Sequence, residues 1–154
     1  MHKRHTGAET YNGADVNGVV FKAEKTEAPE TVLVVDDYDD ARASMRDILE
    51  DLGQHVTEAA NGRDALHFLI FHREVKVKLI ILDLQMPTMN GWEFLTLLRS
   101  YVRLALIPVV IASAHASSLP SPNAPPVLGC LKLPYQPKEL SAVLQIVNNN
   151  AEQS

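Results

Sequence analysis

Acidic residues at the ends of two apolar segments are the chemically most informative feature of the sequence. Asp36 and Asp37 directly follow the apolar run at 32–35, and Asp83 directly follows the run at 79–82. Carboxylates gathered in one crevice repel one another, which raises the pKa of one of them or recruits a cation. Carboxylate oxygens suit Mg²⁺, and a carboxylate beside Mg²⁺ is a competent nucleophile toward phosphorus. The pattern therefore predicts a magnesium site able to handle phosphoryl groups.

A plainer interpretation of these acids is that they cap helices or lie in solvated loops. It is the better interpretation for Asp39 and Asp40, because either can cap a helix that begins near Ala41. For Asp36, Asp37 and Asp83 together we favour the metal site, because two acidic ends on such apolar segments rarely arise by chance.

The elements that must position these acids are predicted to be the strands of a parallel sheet. From Thr31 onward, short apolar runs alternate with segments of helical periodicity, which is typical of βα units. The runs at 32–35, 79–82 and 108–112 are continuously apolar, as central strands buried on both faces should be. Segments 55–59 and 128–131 are predicted to be further strands, and ligands bind at the carboxyl edge of such sheets.

Four amphipathic helices are predicted between and after these strands. The first ends at Gly53, Asn61 caps the second, the third spans 92–99, and the last contains 140–147. Where a further crossover helix is expected, four prolines stand within residues 120–126. Each proline costs about 3 kcal/mol in a helix interior, so we expect a proline-rich loop to replace or disrupt that helix.

Composition and charge narrow the class of protein. The chain has 154 residues, of which 46% are hydrophobic and 21% charged, as expected for one globular domain. A net charge of -5 without an evident basic patch argues against nucleic-acid and membrane partners. The N-terminus lacks a secretory apolar region and no run is long enough to span a membrane, so we expect a cytoplasmic protein. Cys130, the single cysteine, is predicted to be a small buried residue.

The sequence is predicted to divide into three parts. Residues 1–28 are rich in polar and turn-forming residues and are predicted to be a mobile extension with one short apolar patch at 19–21. Residues 29–148 form the folded domain, and 149–154 form a polar tail. Because nothing after residue 148 suggests an output module, we expect a protein that acts through protein contact.

Three motifs in this order resemble the receiver domain of two-component response regulators. They are VLVVDD at 32–37, LIILDLQMPTMNG at 79–91 and IPVVIASA at 107–114, and the resemblance covers about residues 30–148. It implies a doubly wound, flavodoxin-like α/β fold, with a five-stranded parallel sheet in the order 2-1-3-4-5.

The resemblance also implies a role for each residue of the site. Asp83 would be the phosphoacceptor, Asp37 a direct Mg²⁺ ligand, and Asp36 a second acid acting mainly through metal-bound water. The backbone carbonyl of Gln85 would be the remaining protein ligand, and the Ser113 hydroxyl would bind the phosphoryl oxygens. The phosphoryl donor would be a histidine on a sensor kinase or phosphotransfer protein. The domain would catalyse its own phosphorylation and dephosphorylation and signal to a downstream protein, which makes it a signalling domain rather than an enzyme.

The sequence departs from the family after the last strand. The family has lysine, proline and an aromatic residue in succession, whereas this chain reads Lys132-Leu133-Pro134-Tyr135. Aligning Pro134 with the family's proline, whose preceding peptide bond is cis, places Leu133 at the lysine position. Either a β-bulge lets Lys132 reach the site or the site lacks its lysine. We favour the bulge, because an acidic crevice attracts a nearby lysine.

Two other classes of protein remain as alternatives. A haloacid-dehalogenase-like phosphatase also uses a strand-end aspartate with Mg²⁺, but it needs Asp-x-Asp, and Gln85 stands where the second acid would be. A pseudo-receiver keeps the fold as an interaction module without being phosphorylated, and Leu133 is its main support.

Overall fold

The computed structural model describes residues 15–16, 19–20, 28–114 and 126–153 of the chain. Strands β1 (Asp15–Val16) and β2 (Val19–Val20) pair with each other in a separate antiparallel sheet. Part of the apolar patch at 19–21 thus pairs within the N-terminal segment and does not add a strand to the main sheet. The rest of the predicted mobile extension, up to residue 27, lies outside the described residues.

The main sheet has five parallel strands in the order β4-β3-β5-β6-β7. They are β3 (Glu30–Val35), β4 (Val56–Ala59), β5 (Lys76–Leu82), β6 (Val109–Ser113) and β7 (Gly129–Lys132). Numbered along the chain, this order is 2-1-3-4-5, so the predicted flavodoxin-like topology is confirmed. The three continuously apolar runs lie in the central strands β3, β5 and β6, whose carboxyl-terminal halves are buried because helices cover both faces.

Four helices cover the two faces of this sheet. They are α1 (Asp39–Asp51), α2 (Gly62–Phe71), α3 (Gly91–Ser100) and α4 (Pro137–Glu152). One apolar cluster packs α2 and α3 against one face around Phe94 and Leu33, and the other packs α1 and α4 against the opposite face around Leu49 and Leu140. The cores thereby fix the strands whose ends carry the acids.

Local sequence explains where two of these helices begin. The Asn61 side chain accepts a hydrogen bond from the backbone N–H of Asp64 at 2.8 Å, as predicted for a cap of α2. At α3, Asn90 and Glu93 form a capping box, with each side chain bonded to the other residue's backbone N–H at 3.0 Å. The start of α3 is therefore anchored directly after the segment that follows Asp83.

Several expectations are corrected or fall outside the described residues. Helix α4 continues through Glu152, so most of the predicted polar tail is helical. Cys130 is exposed and not buried as predicted, because β7 is an edge strand in which only Leu131 is buried. The proline-rich loop expected in place of a helix coincides with residues 115–125, which lie outside the described part. Among the helices that are described, none is long and apolar enough to cross a membrane.

Candidate functional site

The backbone hydrogen bonds of the main sheet continue to the first residues of the acidic site. The backbone N–H of Asp83 donates to the Val35 carbonyl at 2.9 Å, and the N–H of Asp36 donates to the Ala59 carbonyl at 3.2 Å. Asp36 and Asp83 thus leave neighbouring strands at the same carboxyl edge, each still held by the sheet. This is the edge at which the sequence predicted a site.

The carboxylates of Asp36, Asp37 and Asp83 converge at this edge. One carboxylate oxygen from each residue lies within 4.8 Å of the other two. Asp36 and Asp83 are half-buried, and Asp37 is exposed. The three acids singled out from the sequence are therefore brought together as expected, in a crevice open to solvent on the Asp37 side.

The pKa values of Asp36 and Asp83 are raised, which reflects the electrostatic cost of bringing the three acids together. Burial raises the pKa of Asp36, and the negative charges of Asp83 and Asp37 raise it further, against the Tyr38 N–H and the Arg42 charge. Burial likewise raises the pKa of Asp83, and the charge of Asp37 adds to the effect. A cation bound between these oxygens would remove the repulsion.

The donor set fits a hard divalent cation. Two ligands on opposite sides of Mg²⁺, each at about 2.1 Å, are separated by about 4.2 Å. The largest separation allowed here, 4.8 Å, exceeds that distance by little. A small closure of the loops, or a water molecule in place of one direct ligand, would satisfy such an ion.

Asp83 is surrounded by hydrogen-bond donors. The backbone N–H groups of Gln85 and Leu84 and the hydroxyl of Ser113 donate to its carboxylate, and each of these bonds lowers the pKa of Asp83 against the effect of burial. Ser113, at the end of β6, is only 1% exposed. Its hydroxyl is thus aimed at the carboxylate from the neighbouring strand.

The segment between Asp83 and α3 is tightly packed. A Cβ on Gly91 would lie 2.6 Å from the Asp83 carbonyl oxygen, so only glycine fits there without a shift. The Gly91 N–H donates to the Leu84 carbonyl at 3.0 Å. Thr88 has a φ of 70°, rare for a β-branched residue, and the Met89 N–H bonds the Pro87 carbonyl across it at 2.8 Å. The path of the chain after Asp83 is therefore strongly constrained.

The Lys132 side chain forms no ion pair with the carboxylates of the acidic cluster. Strands β6 and β7 pair in regular register from Val110 with Gly129 to Ser113 with Lys132, so the bulge that we favoured is absent and that prediction is wrong. A regular register keeps Leu131, which is 6% exposed, in the core. Lys132 is exposed, and its side chain forms no hydrogen bond or ion pair with any described residue.

Leu133 occupies the position at which the resemblance implied a lysine. It is 37% exposed, and its peptide bond to Pro134 is cis, as expected for the bond before this proline. Of the described side chains, none that is basic forms an ion pair with Asp83.

Two further residues, Arg42 and Tyr135, lie near the acidic cluster. The Arg42 guanidinium donates from Nη1 to the Asp36 backbone carbonyl at 2.8 Å. Tyr135 is partly buried, and burial raises the pKa of its hydroxyl, with a further contribution from the charge of Asp36 that places the two groups near each other. The spacing of Asp39 and Arg42 on a helix signals a salt bridge, but no sequence pattern signals the contact with a loop carbonyl.

The chain is similar to proteins of one family. The family model described as the response regulator receiver domain matches residues 32–124. The response regulator Rre1 of Synechocystis sp. is 33% identical over 121 residues, which cover 76% of this chain and 51% of that protein. The chemotaxis protein CheV3 of Helicobacter pylori is 33% identical over 128 residues, covering 79% of this chain and 37% of that protein.

The fold of this chain is also similar to that of a solved structure of a response regulator. The chemotaxis response regulator CheY4 of Vibrio cholerae superposes with a TM-score of 0.66 and 31% identity, covering 77% of this chain and 98% of that one. The match to the family model ends at residue 124, before β7 and the displaced lysine. The chain spans about half or less of the length of the two curated relatives.

Proposed function

Because this chain belongs to the response regulator receiver domain family, we propose that it accepts a phosphoryl group on Asp83 in a Mg²⁺-dependent reaction. Receiver domains are signalling domains of two-component systems rather than classical enzymes. The observation that carries the proposal is the convergence of three carboxylates within 4.8 Å, with the Ser113 hydroxyl bonded to Asp83.

The acidic cluster would hold the metal. Receiver domains typically bind Mg²⁺ at such a cluster, and we assign the ligands to Asp37, Asp83 and the Gln85 backbone carbonyl, with Asp36 acting through a bound water. When bound, Mg²⁺ neutralises negative charge on the carboxylates and on the incoming phosphoryl group.

The remaining chemistry is supplied by residues of this chain. A carboxylate oxygen of Asp83 attacks phosphorus and forms a new P–O bond, while the P–N bond to a histidine of the partner breaks and its electron pair returns to the imidazole nitrogen. The N–H groups of Leu84 and Gln85 orient the attacking carboxylate. The Ser113 hydroxyl, which hydrogen-bonds to Asp83, would transfer that bond to a phosphoryl oxygen, so catalysis would consist mainly of positioning.

The partners follow from this chemistry. A sensor histidine kinase or a phosphotransfer protein would supply the phosphoryl group, and the phosphorylated domain would act on a downstream protein by direct contact. The similarity to a chemotaxis protein and to a response regulator supports this assignment of partner class.

A mass measurement tests the proposal. The protein is incubated with Mg²⁺ and acetyl phosphate, and the intact mass is compared with that of the Asp83→Asn variant. We expect one added phosphoryl group in the wild type, none in Asp83→Asn and none when Mg²⁺ is chelated. Asp51→Asn is the control, because Asp51 is exposed on α1 and outside the cluster. Equal labelling of Asp83→Asn and wild type would contradict the proposal.

A pseudo-receiver that acts as an interaction module is the second candidate, and one observation favours it. Leu133 stands in the lysine position and Lys132 makes no contact with the carboxylates. This candidate predicts no mass gain in the wild type. It also predicts no change in the fluorescence of Trp92, the single tryptophan, when Mg²⁺ is added.

A further inference from the structure

We propose that Arg42 is a positioning residue that fixes the Asp36 side of the metal site. The inference rests on the proposed function, since it takes Mg²⁺ as the ligand of the acidic cluster. Arg42 lies in the first turns of α1, and its side chain is only 16% exposed.

The Arg42 guanidinium joins three separate segments. Nη1 donates to the Asp36 backbone carbonyl at 2.8 Å, Nη2 donates to Asp39 at 2.6 Å, and Nε donates to Glu58 of β4 at 3.2 Å. A guanidinium is planar and presents its donors in a fixed fork, so holding two of these partners fixes the direction of the third bond. The loop that begins at Asp36 is thereby tied to both α1 and β4.

These bonds constrain Asp36 beyond the end of the sheet. The Asp36 N–H still bonds to β4, its carbonyl is held by Arg42, and its Oδ1 accepts the Tyr38 N–H at 2.8 Å. Both peptide groups and the carboxylate of Asp36 are therefore restrained. Because an ion must draw three mutually repelling oxygens together, a restrained ligand binds with a smaller loss of conformational freedom.

Arg42 also supplies positive charge close to Asp36, whereas Lys132 forms no ion pair with the acidic cluster. Among the described residues, Arg42 is the basic residue that hydrogen-bonds to a member of the acidic cluster. Leu133, at the family's lysine position, supplies no cation. The contacts of Arg42 therefore order the site on the side of Asp36.

Arg46 provides a matched control on the same helix. It donates to the other oxygen of Glu58 at 3.0 Å and to Asp47 at 2.9 Å, and neither bond reaches Asp36. Arg46→Gln therefore removes the same charge and a bridge to the same glutamate as Arg42→Gln. Only the Arg42 change removes the bond to the Asp36 carbonyl.

The test is a Mg²⁺ titration followed by Trp92 fluorescence and checked by calorimetry, with urea unfolding of each variant as a measure of folding. We expect Arg42→Gln to raise the Mg²⁺ dissociation constant about tenfold, as loss of a supporting hydrogen bond does at other metal sites. Arg46→Gln should leave the dissociation constant within about twofold of wild type, as expected for a supporting charge that touches no ligand. Arg42→Lys keeps the charge but not the fork and should resemble Arg42→Gln.

The outcomes separate this inference from the proposed function. If wild type binds Mg²⁺ and the two glutamine variants bind it equally well, Arg42 is not a positioning residue, and the proposed function stands. Full recovery of affinity in Arg42→Lys would also overturn the inference, because charge alone would then suffice. If wild type shows no Mg²⁺ binding by calorimetry, both the proposed function and this inference are wrong.

Discussion

Gly91 lies against the backbone of Asp83, so that a Cβ on residue 91 would come within 2.6 Å of the Asp83 carbonyl oxygen and 2.8 Å of the Leu84 Cα. Both atoms belong to the main chain and cannot move aside as a side chain can. The first helical residue of α3 is thereby packed directly onto the proposed phosphoacceptor. This contact explains sterically why the motif at 79–91 ends in a glycine.

Gly91→Ala should therefore be destabilising. Forcing a methyl group into a packed backbone costs about 1–3 kcal/mol, and we expect the free energy of unfolding in urea to fall by that amount. Phosphorylation by acetyl phosphate should also slow, because the Asp83 segment must shift. Gly129→Ala is the control, since a Cβ there would meet no atom within 4 Å. Equal stability of the two variants would contradict the packing described.

Asp36→Asn should stabilise the metal-free protein at pH 7. The folded state raises the pKa of Asp36, chiefly through burial, so its contribution to stability is present below the ordinary aspartate pKa and lost as the pH rises through the folded value. At neutral pH the ionised carboxylate thus weakens the fold. Neutralising it should increase the free energy of unfolding by about 1 kcal/mol, within the range of other charge-optimising changes.

The pH and metal dependence of this gain distinguishes repulsion from an unrelated effect of the substitution. The difference between Asp36→Asn and wild type should shrink toward about pH 3, below the ordinary aspartate pKa, where the carboxyl group is protonated in both folded and unfolded states. It should also shrink when Mg²⁺ is added, because the metal stabilises the wild type by binding its folded state. A difference that is constant across pH in chelator would count against this explanation.

The parts of the structure that followed from the sequence are those governed by periodicity. Continuous apolar runs require strands buried on both faces, and parallel strands bring their carboxyl ends to one edge, which is why Asp36 and Asp83 meet. Asn61 caps α2 as predicted, because its side chain competes for a free backbone N–H. Both features depend on interactions within one helix or on the general geometry of parallel strands, which a sequence pattern can reveal.

The features that the sequence misjudged depend on edges and loops. The exposure of Cys130 follows from the position of β7 at the edge of the sheet. The regular register at Lys132 keeps Leu131 buried, and this burial outweighs the attraction of the acidic crevice for an exposed lysine. The bond from Arg42 to the Asp36 carbonyl depends on the path of the loop, which no residue pattern specifies.

Substitutions at Lys132 and Leu133 should have different effects on the rate of phosphorylation. Because Lys132 contacts none of the carboxylates, Lys132→Ala should leave the rate of phosphorylation by acetyl phosphate within about twofold of wild type. Leu133→Lys should raise that rate by about tenfold, since a cation at the family's lysine position would stabilise charge on the phosphoryl group. The rates are followed by intact mass over time. A large loss in Lys132→Ala would show that this lysine reaches the site during the reaction.

Identification of the phosphorylated residue tests the central role of Asp83 most directly. The protein is exposed to Mg²⁺ and acetyl phosphate and then treated with borohydride, which reduces an acyl phosphate to an alcohol and so marks the aspartate that carried it. Peptide mass mapping should find the reduced residue at position 83, in a peptide that is unmodified when Mg²⁺ is chelated. A reduced residue at Asp36 or Asp37, or none at any position of the treated protein, would contradict the assignment of Asp83 as the phosphoacceptor.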